Sequence, residues 1–291
     1  MGNSGRRAGS GKPRFYDGPR MGDLAAEREA ECVAVALLDD RRAGRTILGF
    51  QGWTHSPARL ASRPRLLDAL EGLRKTGTAV ALQVSMTGLG GTVLEPGIGT
   101  PAGELESLRR VLGRIGAGFE SVCARIDPLQ RFAGADGRTV SNLEGAADLL
   151  TTLASAGIRR FRTSAIDFPK YRSKIEPRAA ARGLRHDPLD AAELEAAGLA
   201  MARAAASFGA ELRTCACPVP GLAPGACFDP VWLRSLCRLP EAEEAGLWRP
   251  EIPVAPRPGC LCAYPRAARM MKVPARGRCF GGCAACYAQG P

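Results

Sequence analysis

Apolar segments and amphipathic segments alternate along most of this chain, and this alternation limits the fold more than any other feature. Apolar runs typical of buried strands are followed by segments whose leucines recur at helical spacing. The strand-like runs lie at 31–40, 46–53, 78–86, 120–128, 158–167 and 210–216. The helix-like segments lie at 63–77, 101–117, 141–157, 189–209 and 228–239. The pattern predicts an α/β fold with a parallel sheet and right-handed crossovers. Its roughly six βα units favour a partial or complete β/α (TIM-like) barrel over an open doubly wound sheet.

The composition changes at both ends of this pattern and predicts three parts. Residues 1–30 are rich in Gly, Arg and Ser and are expected to be a loose basic leader. Residues 31–247 form the barrel-like domain, and residues 248–291 form a proline-rich connection with a Cys-rich tail. No apolar run reaches the roughly 18 residues of a membrane span, and the first residues lack the apolar core of a secretion signal. We therefore expect a cytoplasmic protein with reduced thiols and no membrane contact.

Positive charge is in excess and dominates the C-terminal end. The chain carries 40 Lys and Arg against 29 Asp and Glu, which gives a net charge of +11. No acidic residue follows Glu251. The basic residues beyond it are Arg257, Arg266, Arg269, Lys272, Arg276 and Arg278. A basic segment attracts nucleic acid or nucleotide-like cofactors. The alternative is a solvated basic tail without a partner.

Nine of the 11 cysteines lie after residue 214, and the last three form the motif C-x3-C-x2-C. These are Cys279, Cys283 and Cys286, with Gly281 and Gly282 between them. This spacing brings three thiolates onto one small object, and the glycines let the backbone approach it closely. We predict that the motif binds a [4Fe–4S] cluster, in which three thiolates leave one iron open to a small ligand. Zinc binding is the alternative.

A second group of cysteines precedes this motif. Its members are Cys215, Cys217, Cys227, Cys260 and Cys262. The candidate ligands of a second site, for zinc or a further iron–sulfur cluster, are Cys215, Cys227, Cys260 and Cys262. The alternative is that the members from the strand and the following loop are small core residues. The cysteines expected in the core are Cys32, Cys123 and Cys237.

Charged residues at two predicted strand ends are the candidates for catalysis. Arg125 and Asp127 end one strand, and Asp167 ends another. In β/α barrels, active-site groups gather at the carboxyl ends of the strands. The alternative is an internal ion pair of Arg125 with Asp127 or with Glu95. His55 follows a strand and is expected to be a loop residue.

The glycine-rich segment TGLGG (87–91) follows the strand predicted at 78–86. Its residues Thr87, Gly88 and Gly90 are candidates to cradle a phosphate or a carboxylate through backbone N–H groups. A plain turn between a strand and a helix is the alternative, because the segment lacks the complete phosphate-binding motifs.

Several short motifs, taken in order from residue 30 onward, resemble the DUF1848 family, a family of domains of unknown function. The motifs are Trp53, Thr54 and Pro57; Thr87, Gly88 and Gly90 with Glu95 and Pro96; Arg125, Asp127 and Pro128; Ser164 and Asp167; Thr214 and Cys215; Pro224, Gly225 and Cys227; Cys260 and Cys262; and the terminal C-x3-C-x2-C-Y-A. The chain departs from the family pattern at His55 and Ser56, where the family has Lys-Asn.

The terminal motif of that family is similar to the cluster motif of radical S-adenosylmethionine (SAM) enzymes, although Ala285 stands where those enzymes usually have an aromatic residue. The resemblance implies that Cys279, Cys283 and Cys286 hold a [4Fe–4S] cluster whose open iron binds SAM. The TGLGG segment is then a candidate to bind the SAM carboxylate. Such an enzyme needs an electron donor, and the sequence does not name its substrate, a small molecule or a nucleic acid. The alternative is a non-catalytic module, stabilised by zinc or iron–sulfur, that binds nucleic acid through its basic tail.

Overall fold

A computed structural model of the chain describes residues 14–18, 22–215, 217–253, 261–265, 268–271 and 280–286. The strands are β1 Arg14–Asp17, β2 Ile47–Thr54, β3 Ala79–Ser85, β4 Val122–Leu129, β5 Arg131–Gly134, β6 Thr139–Ser141, β7 Arg160–Ala165, β8 Leu184–His186, β9 Glu211–Thr214, β10 Ile252–Pro253, β11 Ala263–Tyr264 and β12 Ala268–Met270. The α-helices are α1 Glu27–Arg42, α2 Pro57–Leu60, α3 Pro64–Lys75, α4 Pro101–Ile115, α5 Ala146–Ser155, α6 Phe168–Ala180, α7 Ala191–Ser207 and α8 Pro230–Leu236.

Seven strands form one sheet in which all neighbouring strands are parallel. Their order is β12-β1-β2-β3-β4-β7-β9. The predicted α/β fold with a parallel sheet is therefore confirmed. Among the described residues the sheet is open, with β12 and β9 at its edges, so the complete barrel is not formed there. After β9 the chain leaves the pattern, because α8 packs against β3 and the next strand, β10, pairs with β11 in a separate small sheet.

Helices α1, α3, α4, α5 and α7 contribute the apolar layer on one face of the sheet. Helix α4 illustrates why the sequence forms these elements. Thr100 caps its N-terminus by accepting a hydrogen bond from the Gly103 N–H, Pro101 occupies the first turn, and Gly116 ends it in the left-handed conformation. Its buried apolar side chains, spaced three and four residues apart, are Leu105, Leu108, Val111, Leu112 and Ile115.

The other face of the sheet is covered by α8 and the chain that follows it. Phe15 of β1 packs edge-on against Trp248, with 4.6 Å between the ring centroids. Trp232 of α8 belongs to the same apolar cluster, together with Ala81 of β3 and Cys123 of β4. The strands are thus buried on both faces, which explains their continuous apolar sequences.

The strand predicted at 31–40 is wrong, because this segment belongs to helix α1. Its buried residues Ala30, Val33, Ala34 and Leu37 recur at helical intervals. The short apolar run conceals this period, since Val and Ala also fit a buried strand.

Strand β1 lies within the segment expected to be a leader, and β12 lies within the expected tail. These two strands pair with each other in parallel, with Phe15 opposite Ala268. The backbone N–H of Met271 also donates to the carbonyl of Asp17 at 2.9 Å. Segments from both ends of the described chain therefore build one edge of the sheet. In the part of the chain that the structure describes, no helix combines the length and the apolar character that crossing a bilayer requires.

Candidate metal centres at the carboxyl ends of the strands

The carboxyl ends of the parallel strands collect the side chains that can bind a metal or take part in catalysis. His55 follows β2, Thr87 follows β3, Arg125 of β4 lies opposite the last residue of β3, and Cys215 follows β9. Because the strands are parallel, all four positions lie at the same end of the sheet. The described part of the C-terminal cysteine motif, which contains Cys283 and Cys286, lies at this same end of the sheet.

Residues 280–286, here called the cysteine segment, lie against the loop that follows β3. The N–H of Gly97 donates to a carbonyl of the cysteine segment at 3.1 Å, and the carbonyl of Leu94 accepts from one of its N–H groups at 2.9 Å. From the other side, the guanidinium groups of Arg178 and Arg182 donate to two of its carbonyls at 2.8 and 2.6 Å. Four hydrogen bonds therefore fix the segment that carries Cys283 and Cys286. Cys279 lies outside the described residues.

Cys283, His55 and Glu95 form a compact buried group. One nitrogen of the imidazole, Nδ1, lies 3.9 Å from the Cys283 Sγ. The other, Nε2, lies 3.3 Å from the Glu95 Oε2. This second contact is an ion pair rather than an aligned hydrogen bond, since Nε2 has no partner that meets hydrogen-bond geometry. The three potential ligand atoms lie within 4.8 Å of one another, and no other such group of three occurs among the described residues.

The charges of this group reinforce one another. Burial lowers the pKa of His55, but the charge of Glu95 and the hydrogen bond to Cys283 outweigh it and hold this pKa well above its usual value. Burial raises the pKa of the Cys283 thiol, and His55 opposes that shift. The protonated imidazole of His55 therefore lies between the Glu95 carboxylate and the Cys283 thiol. This thiol ionises when a positive ion binds to it.

Neighbouring carboxylates fix the turn that carries His55. The side chain of Asp23 accepts a hydrogen bond from the His55 backbone N–H at 2.8 Å. Glu104 accepts from the Ser56 hydroxyl at 3.0 Å and from the Ala58 N–H at 2.8 Å. The hydroxyl of Thr87 donates to Glu95 at 2.6 Å. Hydrogen bonds with neighbouring residues therefore fix both the backbone of His55 and the side chain of Glu95.

A methyl group at Gly97 is expected to displace the cysteine segment. A Cβ there would lie 2.3 Å from the Phe280 carbonyl oxygen, which is a clash with backbone. We expect Gly97→Ala to lower the free energy of unfolding by about 1–3 kcal/mol and to reduce metal uptake. Urea unfolding and metal analysis after reconstitution measure the two effects.

The matched control is Gly113→Ala in α4, where a Cβ would meet no atom within 4 Å. This substitution is expected to stabilise the protein by about 0.5–1 kcal/mol, because alanine favours the helix, and to leave metal uptake unchanged. Equal metal uptake by the two variants would contradict the close packing at Gly97.

The second cysteine group is partly assembled at the end of β9. The Sγ atoms of Cys215 and Cys227 lie 2.9 Å apart, and the backbone N–H of Cys227 donates to the Cys262 Sγ at 3.1 Å. Arg125 donates to the Cys227 Sγ at 2.9 Å. Three of the four predicted ligands are therefore neighbours, and the fourth, Cys260, lies outside the described residues.

The charges favour a thiolate at this second group. A hydrogen bond with Cys227 lowers the pKa of Cys215, and the positive charge of Arg125 adds to this against the effect of burial. The same hydrogen bond raises the pKa of Cys227, so the contact favours a thiolate at Cys215 and a thiol at Cys227.

The candidate catalytic residues lie beside the second cysteine group. Arg125 forms an ion pair with Asp127, and Asp127 also accepts from the Ser164 hydroxyl. The guanidinium of Arg125 lies over the ring of Trp53, 5.2 Å from its centroid. Asp167 starts helix α6, and its backbone carbonyl accepts from Tyr171 at 3.2 Å. The structure thus brings together the first two candidates, and it places Asp167 at a helix terminus.

The TGLGG segment packs closely against the loop that follows it. Gly88 adopts the left-handed conformation, and a Cβ on Gly90 would lie 2.0 Å from the Gly99 carbonyl oxygen. The Thr87 hydroxyl is used within the protein, since it holds Glu95. The structure therefore accounts for these residues by the shape of the turn, and binding of a cofactor by Thr87, Gly88 and Gly90 stays a prediction.

Sequence reasoning missed His55 and Glu95 as members of a candidate metal site. His55 was expected to be a loop residue, and Glu95 was a member of a short motif and a possible ion-pair partner of Arg125. One signal was available, because the chain has only two histidines and one of them directly follows a strand. Its contact with Cys283 spans 228 positions of sequence, so spacing cannot reveal it.

Comparisons with known proteins give one extensive match. A family described as "Domain of unknown function (DUF1848)" matches residues 46–288. No curated protein matches the chain.

The likenesses to solved structures are weak. The crystal structure of SuiB from Streptococcus suis is 11% identical with a TM-score of 0.34, over 77% of this chain and 44% of SuiB. The carboxyl transferase domain of pyruvate carboxylase from Rhizobium etli, with 3-hydroxypyruvate, is 14% identical with a TM-score of 0.26, over 78% of this chain and 46% of that one. The chain spans less than half the length of these two structures, and neither likeness carries an argument about function.

Proposed function

The chain belongs to the DUF1848 family, and from this premise we propose that it is an iron–sulfur protein that cleaves SAM. The cluster is held by Cys279, Cys283 and Cys286. One observation carries the proposal: the cysteine segment is fixed at the carboxyl ends of the strands, where β/α enzymes place their active sites. The reaction on the substrate and the substrate itself are outside this proposal.

The residues fit such a group. Cys283 is buried and Cys286 is half-buried, so the cluster would be shielded from bulk water while one side stays accessible. Gly97 allows the backbone of the loop after β3 to approach the cysteine segment closely. Thiolates are the protein ligands that iron–sulfur clusters require.

When bound, the cluster supplies the electron that cleaves SAM to methionine and a deoxyadenosyl radical. The chain's own residues bind, orient and shield. Cys283 and Cys286 bind the cluster, and Arg178 and Arg182 hold the backbone that carries them. To the pair of Arg125 and Asp127, which lies at the same end of the sheet, the proposal gives the role of orienting a charged substrate.

We propose a second metal centre at Cys215, Cys227, Cys260 and Cys262. Its support is the contact of Cys215 with Cys227 and the hydrogen bond from the Cys227 N–H to the Cys262 Sγ. Tetrahedral zinc separates its thiolate sulfurs by about 3.8 Å, given zinc–sulfur bonds of about 2.3 Å. The sulfurs of Cys215 and Cys227, which lie 2.9 Å apart, would therefore move apart when zinc binds. Zinc and a second cluster are both compatible with this donor set.

A second candidate function is a non-catalytic module stabilised by zinc. It is favoured by the compactness of the group of His55, Glu95 and Cys283, because nitrogen, oxygen and sulfur ligands this close suit a single zinc ion. Binding of nucleic acid through the basic tail belongs to this candidate, and most of that tail lies outside the described residues. A cytoplasmic location, which keeps the thiols reduced, suits both candidates. An electron donor is a partner only of the first.

SAM cleavage tests the proposal directly. The protein is purified without oxygen, reconstituted with iron and sulfide, reduced with dithionite and given SAM, and deoxyadenosine is measured. We expect deoxyadenosine from the unchanged protein and none from Cys286→Ala. The control, Cys32→Ala, changes a half-buried cysteine of α1 and is expected to retain the activity.

The metal content separates the candidates. About four irons and four sulfides per chain support one cluster, and about eight of each support a second cluster at Cys215 and its neighbours. A cluster without SAM cleavage would refute the enzymatic part of the proposal alone. Zinc without sulfide would refute the cluster and favour the module, whose retention on nucleic acid should then weaken steeply with salt.

A further inference from the structure

A buried chain of polar groups runs from the loop after β3 to Cys283. The Thr87 hydroxyl donates to Glu95, Glu95 contacts one nitrogen of His55, and the other nitrogen of His55 faces the Cys283 Sγ. Three of its members, Thr87, Glu95 and Cys283, are each less than a tenth exposed. Side-chain contacts this far from water act more strongly than the same contacts at the surface.

We propose that His55 sets the reduction potential of the centre by donating an N–H···S hydrogen bond to the Cys283 thiolate, and that Glu95 holds His55 in place for this. The proposal rests on the cluster proposed above. It assigns His55 and Glu95 as positioning residues that act through Cys283, and neither needs to touch a substrate.

The direction of the effect follows from charge. The reduced cluster carries one more negative charge than the oxidised cluster, and part of it resides on the thiolate sulfurs. A hydrogen-bond donor to such a sulfur stabilises the reduced form more, which raises the potential. The two nitrogens of the ring face different partners, one Glu95 and the other Cys283, so the nitrogen on the sulfur side is free to donate to the sulfur.

The geometry favours a hydrogen bond from His55 to the sulfur. At 3.9 Å, the Nδ1 of His55 is within reach for a contact with the larger sulfur atom. Glu95 occupies the opposite side of the ring and is itself held by Thr87, so the imidazole has little freedom to turn away. A carboxylate behind a histidine is the usual arrangement at metal centres.

The test is a reduction-potential titration of the reconstituted protein, followed by its electron paramagnetic resonance signal. His55→Leu removes the donor, and His55→Gln retains a shorter one. We expect unchanged iron and sulfide in both variants. In His55→Leu the reduced cluster should lose about tenfold in relative stability, a fall of about 59 mV for one electron. His55→Gln and Glu95→Gln are expected to fall by less.

The only other histidine of the chain supplies the matched control. His186 stacks on Phe168 with 3.9 Å between ring centroids, and His186→Leu is expected to leave the potential unchanged. An equal potential in all His55 variants would overturn the inference, as would a shift of the same size in His186→Leu. Loss of one iron from His55→Leu would also overturn it, since His55 would then be a ligand. Failure of the unchanged protein to assemble any cluster would instead refute the proposed function.

Discussion

Replacing Cys283 with alanine is expected to abolish the metal centre at the terminal motif, with a loss of about four irons per chain. Cys283 is 7% exposed and faces both His55 and the loop after β3. Its loss leaves the proposed cluster with only two of its three thiolate ligands, those of Cys279 and Cys286. The visible absorption of the cluster and the iron and sulfide contents measure the result. The His55–Glu95 pair would also lose its sulfur partner.

Cys32→Ala is the control for the cysteine chemistry itself, since Cys32 lies on α1. It is expected to keep the full metal content. If Cys283→Ala retained its iron, the terminal motif would not be the cluster site. The group of Cys215 and Cys227 would then be the remaining candidate.

Replacing Asp17 with alanine is expected to lower the free energy of unfolding by about 2–5 kcal/mol. Asp17 is fully buried at the end of β1. Its carboxylate accepts hydrogen bonds from the Trp53 indole at 2.7 Å and from the Tyr264 hydroxyl. Without the carboxylate, both donors lose an acceptor inside the protein, and each lost contact of this kind costs about 1–3 kcal/mol. The midpoint and slope of urea unfolding measure the change.

Two further substitutions frame this prediction. Asp17→Asn keeps one acceptor oxygen and is expected to cost less than Asp17→Ala. Asp39→Ala removes only an exposed ion pair with Arg42, so its cost should lie within about 0.5 kcal/mol. If Asp17→Ala lowered the free energy of unfolding no more than Asp39→Ala, the hydrogen bond between Asp17 and Tyr264 would not be what holds the C-terminal segment against the sheet.

Local patterns revealed the elements that local forces determine. The apolar run at 78–86 became β3, and the segment at 101–117 became α4, because burial on both faces and capping residues leave a direct trace in sequence. The prediction of a strand at 31–40 was wrong, since α1 and a buried strand use the same small apolar residues. The short strands β1 and β12 had no local signal, because β1 is stabilised mainly by its pairing with β12 and β2, and β12 by its pairing with β1.

The candidate site divides in the same way. The cysteines were visible because metal ligands recur at short spacing. The approach of Cys262 to Cys227 was foreseen only as one of several combinations of cysteines. His55 and Glu95 were not foreseen, because their contact with Cys283 exists only after the tail has folded onto the end of the sheet. Residues that meet only through tertiary contacts cannot be recognised from their spacing along the sequence.

The pairing of β1 with β12 has a consequence for the order of events during synthesis. Among the described strands the ribosome makes β1 first and β12 last, so the sheet cannot acquire this edge until all the strands between them have been made. The cysteine segment is made later still. Until those segments are made, a nascent chain therefore carries an unfinished sheet edge and lacks both Cys283 and Cys286. Contacts between such distant positions are also slow to form. The proposed cluster would therefore be supplied only after β1 and β12 are both available to pair.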